Sequence, residues 1–336
     1  MIEPDPTLAL IWACIIAFAI AAYVFMDGFD LGIGILFPFF PVGKERDQAM
    51  NAIAPVWDGN ETWLVMGGGG LLAAFPLAYS IILPALYPPI IAMLLGLVFR
   101  GVAFEFRWRE SRHRPVWDVA FFMGSTVAAL SQGMILGALL QGIHVEGRAY
   151  AGGWWDWLTP FTVLAGLSLV IGYALLGACF LLWKTEGLVH DDARRHARYL
   201  APLLVLAIGA VSLATPFLQG HYYKRWFAWP NVLATAQVPL LVIIVAGLLF
   251  WALAKGRERA PFFLTMALFL LSMAGLAVSI FPDVIPGRIS IYQAAAPGVS
   301  QGFMLVGAVV LIPVILAYTG WAYWVFRGKV GEAGYH

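Results

Sequence analysis

The stretch Thr62-Trp-Leu-Val-Met-Gly-Gly-Gly-Gly-Leu-Leu-Ala-Ala-Phe-Pro-Leu-Ala-Tyr-Ser80 opens an apolar run that continues to Phe99. A membrane helix needs about 20 mostly apolar residues, because the hydrocarbon core is about 30 Å thick and each residue rises about 1.5 Å. Split near Phe75-Pro-Leu-Ala-Tyr-Ser80, the run becomes two spans, and the chain then holds nine apolar stretches. They cover residues 8–26, 62–78, 80–99, 117–140, 161–183, 200–217, 236–250, 262–280 and 303–325.

The basic residues test the split. With the N-terminus outside and nine crossings, the cytoplasmic side receives Lys44, Arg46, Arg100, Arg107, Arg109, Arg112, Arg114, Lys184, Arg194, Arg195, Arg198, Lys255, Arg257, Arg259, Arg327 and Lys329. That is 16 of the 20 Lys and Arg residues, and the outside keeps Arg148, Lys224, Arg225 and Arg288. Such an asymmetry follows the positive-inside rule, and merging the second and third spans would scramble it. The expected fold is an all-α integral membrane protein with nine transmembrane helices, N-out and C-in.

Composition excludes the other classes. Of 336 residues, 61% are hydrophobic and 12% charged, against roughly 25% charged in soluble domains. A formal net charge of +1 gives no basic footprint for nucleic acid. Cys14 and Cys179 lie far apart in apolar stretches without a CxxC pattern, which argues for buried packing rather than zinc or iron–sulfur ligation. Ala19-Ile-Ala21 imitates a signal-peptidase site, but Glu3 and Asp5 precede the apolar run without Lys or Arg, so it reads as a span. Trp12, Trp57, Trp117, Trp183, Trp321 and Trp324 sit near span ends, where an interfacial belt would place them. The pairs Gly28/Gly32, Gly133/Gly137 and Gly298/Gly302 have the GxxxG spacing that permits close helix approach.

Membrane electron carriers usually hold haem or copper by histidine. Here His113, His144, His190, His196, His221 and His336 all fall in expected loops or at the terminus. Any redox metal of the system is therefore expected in a partner. Acidic residues mark two other segments, Asp27-Gly-Phe-Asp-Leu-Gly-Ile-Gly34 after the first span and Trp57-Asp-Gly-Asn-Glu-Thr-Trp63 before the second. Carboxylates cost about 2.5–3.5 kcal/mol each at mid-membrane and usually mark an ion or proton route. Purely structural readings stand beside that one: Asp58 and Glu61 as a variant capping box, and Asp27-Gly28 as a helix stop. Arg100 has two roles open to it, snorkelling to the headgroups or neutralising one of these acids. Glu105 and Arg109 have the spacing of a surface pair.

Together, Asp27–Gly34, Asn51-Ala-Ile-Ala-Pro-Val-Trp-Asp-Gly-Asn-Glu-Thr-Trp63, Phe99-Arg-Gly-Val-Ala-Phe-Glu-Phe-Arg107 and Ile312-Pro-Val-Ile-Leu-Ala-Tyr-Thr-Gly-Trp-Ala-Tyr-Trp324 resemble subunit II of the cytochrome bd-type quinol oxidases. The short length and brief outer loops are similar to the cyanide-insensitive branch. The resemblance implies two four-helix bundles (1–140 and 141–281) and a peripheral ninth helix with the cytoplasmic C-terminus (282–336). It implies a pseudo-symmetric heterodimer in a bacterial plasma (inner) membrane, with haem b, and haem d as an option, in a partner subunit I. The complex would oxidise quinol and reduce dioxygen to water. A structural quinone in this chain and a small accessory subunit are compatible with it. Asp27, Asp30 and Asp58 match the family's acidic positions, Glu61 and Arg100 are their neighbours, and Glu105 matches another acidic position; all six are candidates for a proton-uptake route. A competing class is a secondary transporter or channel binding a coupling ion at the same carboxylates. Transporters usually place charges near the midplane on broken helices, and the spans drawn above hold almost none.

Overall fold

Asp5 opens the first helix. Its carboxylate accepts the backbone N–H groups of Thr7 (2.8 Å) and Leu8 (3.3 Å), and Pro6 supplies a preset φ at the first position. The computed structural model describes residues 5–330; Glu3 and His336 lie outside the described residues. Helix α1 (Pro6–Leu36) is followed by a short α2 (Lys44–Asn51), then α3 (Trp57–Ala74), α4 (Pro76–Ala85), α5 (Tyr87–Arg109) and α6 (Arg114–Gln141). A small hairpin, β1 (Val145–Glu146) with β2 (Ala149–Tyr150), leads to α7 (Pro160–Lys184) and α8 (Leu188–Ala214). Two short helices, α9 (Gly220–Phe227) and α10 (Val232–Thr235), precede α11 (Gln237–Ala254) and α12 (Ala260–Ile280). A second hairpin, β3 (Asp283–Ile285) with β4 (Ile289–Ser290), and α13 (Ile291–Ala294) end at α14 (Gly298–Val325).

Among the described residues, eight helices are long and apolar enough to cross a membrane: α1, α5, α6, α7, α8, α11 (with α10), α12 and α14. The run 62–99 is cut twice rather than once. Phe75 leaves helical geometry (ψ 62°) because Pro76 disfavours it there, and Leu86 breaks again before Pro88 and Pro89. The expected third span therefore starts at Tyr87, not 80, and the second element starts at Trp57, not 62. Likewise 27–36 and 57–61, expected as connection, are helical.

Helix α7 lies at the centre, with 61% of its apolar window buried, and packs on α1, α6, α8 and α12. Two of the three GxxxG pairs make that packing. A Cβ on Gly32 would stand 1.8 Å from the Tyr173 carbonyl oxygen, and Gly28 faces the Tyr173 ring; Gly133 and Gly137 face Ala165, Gly166 and Thr162. Gly302 meets nothing nearer than Leu8 at 3.9 Å, so it marks no close approach. Helix α14 is peripheral, with 6% of its window buried. Cys179 is buried as expected, but Cys14 is exposed, on the outward face of α1. Trp12 is buried and donates to the Gln301 carbonyl at 3.0 Å.

The two ends of the bundle differ. At one, the Ala74 carbonyl accepts from Ala296 N (2.9 Å) and Gln301 Nε2 (3.0 Å). At the other, where basic residues gather, Arg107 bridges Asp118 and Asp47 (2.6 Å each) and Arg46 holds Asp118 at 2.7 Å. There too the chain after α14 is strapped back. Lys184 Nζ donates to the Phe326 (2.5 Å) and Gly328 (2.6 Å) carbonyls, Val330 N bonds Lys184 O at 2.7 Å, and Gln48 Nε2 reaches Val330 O at 2.8 Å.

Candidate functional site

Helical spacing puts Asp27 and Asp30 on adjacent turns of α1, and both are fully buried. Helix α3 brings Asn60 and Glu61 alongside, and α5 brings Arg100, which has no exposed surface. The guanidinium forks. Nη1 donates to Asp27 Oδ1 at 2.6 Å, and Nη2 bonds Glu61 Oε1. Its carbon lies 5.9 Å from the centre of the Trp57 ring, which is itself stacked on Phe104 at 4.7 Å. Asn60 Nδ2 donates to Asp30 Oδ2 at 2.7 Å and to Met26 O at 3.2 Å. Asn60 Oδ1 accepts from the Tyr323 hydroxyl on α14 at 3.0 Å. On the other flank the Tyr173 hydroxyl donates to Gln132 Oε1 (3.0 Å), Gln132 Nε2 donates to the Tyr23 oxygen (2.7 Å), and Tyr23 lies beside Asp27.

Four of the six expected site residues, Asp27, Asp30, Glu61 and Arg100, thus form one cluster fed by three helices. Asp58 is exposed on the first turn of α3, one turn before Glu61. Glu105 stands apart, exposed and paired with Arg109 at 3.3 Å, as its spacing required. The purely structural alternatives fail on geometry. Helix α3 starts at Trp57 behind Val56 with no side-chain cap, so no capping box forms. Helix α1 runs through Asp27-Gly28 to Leu36, so these residues stop nothing. Arg100 turns inward to its carboxylates instead of snorkelling. Sequence reading missed Tyr23, Asn60, Gln132, Tyr173 and Tyr323; only Asn60 carried a signal, sitting inside the acidic motif.

The cluster has one guanidinium for three carboxylates. Asp27 Oδ2, Asp30 Oδ1 and Arg100 Nε are buried without a hydrogen-bond partner among the described residues. Orphaned carboxylate oxygens in a dry interior are sites where a proton can be held or passed.

Among the described residues, the histidines lie in loops, short elements or the first turns of α8. His190 and His196, expected in a loop, are on the first turns of α8 at the basic end, the former facing Asp191 and Glu258, the latter against Phe39 and Phe40. His113 and His144 are exposed, and His221 packs on Tyr222 in the short α9. An apolar cavity of about 270 Å³ lies between Phe29, Phe180, Phe262, Met266 and Tyr323. It is smaller than the roughly 300–1,000 Å³ of pockets that enclose a ligand, and no quinone is assigned to it.

Residues 8–326 match the family model for cytochrome bd terminal oxidase subunit II. The cytochrome bd-I ubiquinol oxidase subunit 2 of Escherichia coli K12 is 30% identical over 369 aligned residues, covering 96% of this chain and 95% of the relative. The cytochrome bd ubiquinol oxidase subunit 2 of Bacillus subtilis is 28% identical over 337, covering 96% of each. The fold is similar to a chain in the structure of bd oxidase from Geobacillus thermodenitrificans, with a TM-score of 0.77 at 16% identity, covering 95% of this chain and 98% of that one.

Proposed function

Since the chain belongs to the cytochrome bd terminal oxidase subunit II family, we propose that it serves as the haem-free half of a membrane quinol:oxygen oxidoreductase and lines part of its proton-uptake route. The transporter alternative is set aside on the same ground. In such a complex two quinols give four electrons and dioxygen takes these with four protons to form two waters. Haems b and d, housed in a partner subunit I, would supply the electron transfer and oxygen reduction. This chain's own residues handle protons and hold the bundle in register.

The observation that carries the reading is the buried Arg100, forked onto Asp27 and Glu61 beside Asp30. One cation against three carboxylates leaves the cluster short of positive charge, and a proton is the smallest cation that can make up the difference. Asp58, exposed one turn below Glu61, gives the cluster a mouth at the basic, cytoplasmic end. Protons would pass from Asp58 to Glu61 and on to the Asp27/Asp30 pair, with Tyr23, Gln132 and Asn60 as hydrogen-bonding walls.

Helix α3 we take as the ninth crossing. Its 18 residues span about 27 Å, and it runs along α1 from the Asn60–Met26 contact to Ala74, which Gln301 ties to the level of Trp12. Asp58, Thr62, Val65 and Leu72 repeat along its exposed side, a face better suited to a protein partner than to lipid. The N-out/C-in orientation follows from that count together with the basic-residue asymmetry, and the division at 1–140, 141–281 and 282–336 is the one the family resemblance implies. The short, cyanide-insensitive branch rests on the chain's length and brief outer loops alone, and a bacterial plasma membrane fits both relatives. A small accessory subunit remains compatible with this assembly.

The test is oxygen uptake per haem in purified complex carrying Asp58→Asn, which keeps shape and removes a proton acceptor. Uptake is expected to fall on the order of tenfold or more while haem content and the co-purifying larger subunit stay. Unchanged uptake per haem would remove Asp58 from the route.

A further inference from the structure

A second concentration of charge lies on α8, a helix that contributes nothing to the buried cluster. Asp191, Arg194, Arg195, Arg198 and Tyr199 recur at i, i+3, i+4, i+7 and i+8 on α8, so they share one face, and they line a surface hollow of about 510 Å³. Arg195 is committed to Asp192 at 2.5 Å. Arg194 has a buried Nε without a partner among the described residues, and its Nη2 meets only the His190 ring at 3.4 Å. Arg198 reaches the Leu253 carbonyl, at the end of α11, at 3.5 Å. The α11–α12 turn closes on this face through Gly256, whose positive φ of 68° lets it approach Arg194. That turn adds the exposed Lys255, Arg257 and Arg259, while its Glu258 is bonded to Lys329 at 3.0 Å. Two guanidinium forks with weak acceptors, in a basic surround, make an anion site.

What lies beside the arginines sets the kind of anion. Tyr199 and Trp251 are exposed, with Arg257 5.9 Å from the Trp251 ring centre. Toward the membrane interior the same faces continue as exposed Leu203 and Leu206 on α8 and Ile244 and Leu248 on α11. Positive, then aromatic, then hydrocarbon is the layering of one bilayer leaflet. We propose that this hollow binds the headgroup of an anionic phospholipid, with Arg194 and Arg198 on the phosphate and the acyl chains against Leu203 and Leu206. Guanidinium geometry matches a phosphodiester bidentately, and basic pockets between cytoplasmic helix ends are known to hold such headgroups. A free phosphate shares the arginine chemistry but gains nothing from the apolar continuation.

The test uses the purified, delipidated complex titrated with dioleoylphosphatidylglycerol, bound lipids being counted by native mass spectrometry. The parent, Arg194→Gln/Arg198→Gln and a surface-charge control, Arg109→Gln, are compared, with dioleoylphosphatidylcholine as the neutral lipid. The double variant is expected to lose one tightly held phosphatidylglycerol, its apparent affinity falling on the order of tenfold. Parent and control keep it, phosphatidylcholine binds alike in all, and excess inorganic phosphate does not displace the lipid. Equal phosphatidylglycerol binding in all three overturns the proposal, as does an equal loss in the control. Displacement by inorganic phosphate identifies a free-anion site and overturns the lipid assignment. If the double variant does not assemble, Arg198→Gln alone carries the same comparison, because that side chain makes a single long contact to the protein.

Discussion

Removing Arg100 leaves Asp27 and Glu61 facing each other without a counter-charge, one of them fully buried. Breaking a buried pair from one side costs about 3–5 kcal/mol. Arg100→Gln is therefore expected to abolish assembled complex, measured as haem per milligram of membrane protein, and Arg100→Lys to recover only part of it because one ammonium cannot fork. Haem content at the parental level in Arg100→Gln would show that the ion pairs contribute little. Glu105→Gln is the contrasting case. That carboxylate is exposed and its pair with Arg109 is long, so the melting temperature of the complex should shift by no more than about 0.5 kcal/mol would give.

Contacts between helices decide the next scale. Gly32→Ala drives a methyl group into the Tyr173 carbonyl of α7, and α1 and α7 must part to admit it. A loss of about 1–3 kcal/mol is expected in thermal unfolding of the complex, whereas Gly209→Ala on α8, with nothing within 4 Å, should cost nothing. Equal melting temperatures for the two variants would mean that α1 and α7 can separate freely. At the opposite end of the molecule, burial and Arg225 hold the His221 imidazole below its usual pKa, with Asp283 opposing. The folded state prefers the neutral ring, so this contribution is present above about pH 6.5 and is lost as pH falls through the lowered value. Hydrogen-exchange protection in α9 and the β3–β4 hairpin, corrected for the base-catalysed intrinsic rate, should therefore fall between about pH 7.5 and about pH 5.5, and His221→Phe should flatten the change; protection that does not vary with pH would exclude His221 as its source. Element content was largely legible in the chain: the apolar runs show as helices, and residues of the two acidic segments do meet in one buried cluster. The helix through Asp27–Gly34 was hidden because Asp and Gly favour breaks locally. Its support comes from Tyr173 and Gly177, far along the chain. Tyr323 was equally invisible as a partner of Asn60, since no spacing rule links residues 263 positions apart.

At the scale of the whole molecule, α14 is attached by its ends. Gln301 secures one against Ala74 and Trp12, and the Lys184 strap secures the other. Lys184→Met removes both donated bonds and is expected to expose the segment after Phe326 to limited proteolysis from the basic side without lowering haem content; unchanged cleavage would show that Val330 and Gln48 suffice to hold it. The placement of the buried ion cluster has a further consequence, in time rather than in space. A ribosome delivers this chain from its first residue onward, so α1 emerges carrying Asp27 and Asp30, and α3 then adds Glu61. The guanidinium that answers them arrives 73 residues after Asp27. Until α5 is made, lipid is a poor solvent for what has already been synthesised. The early helices are therefore expected to partition into lipid less readily before α5 is made than after it, which makes the order of translation part of how this membrane protein is built.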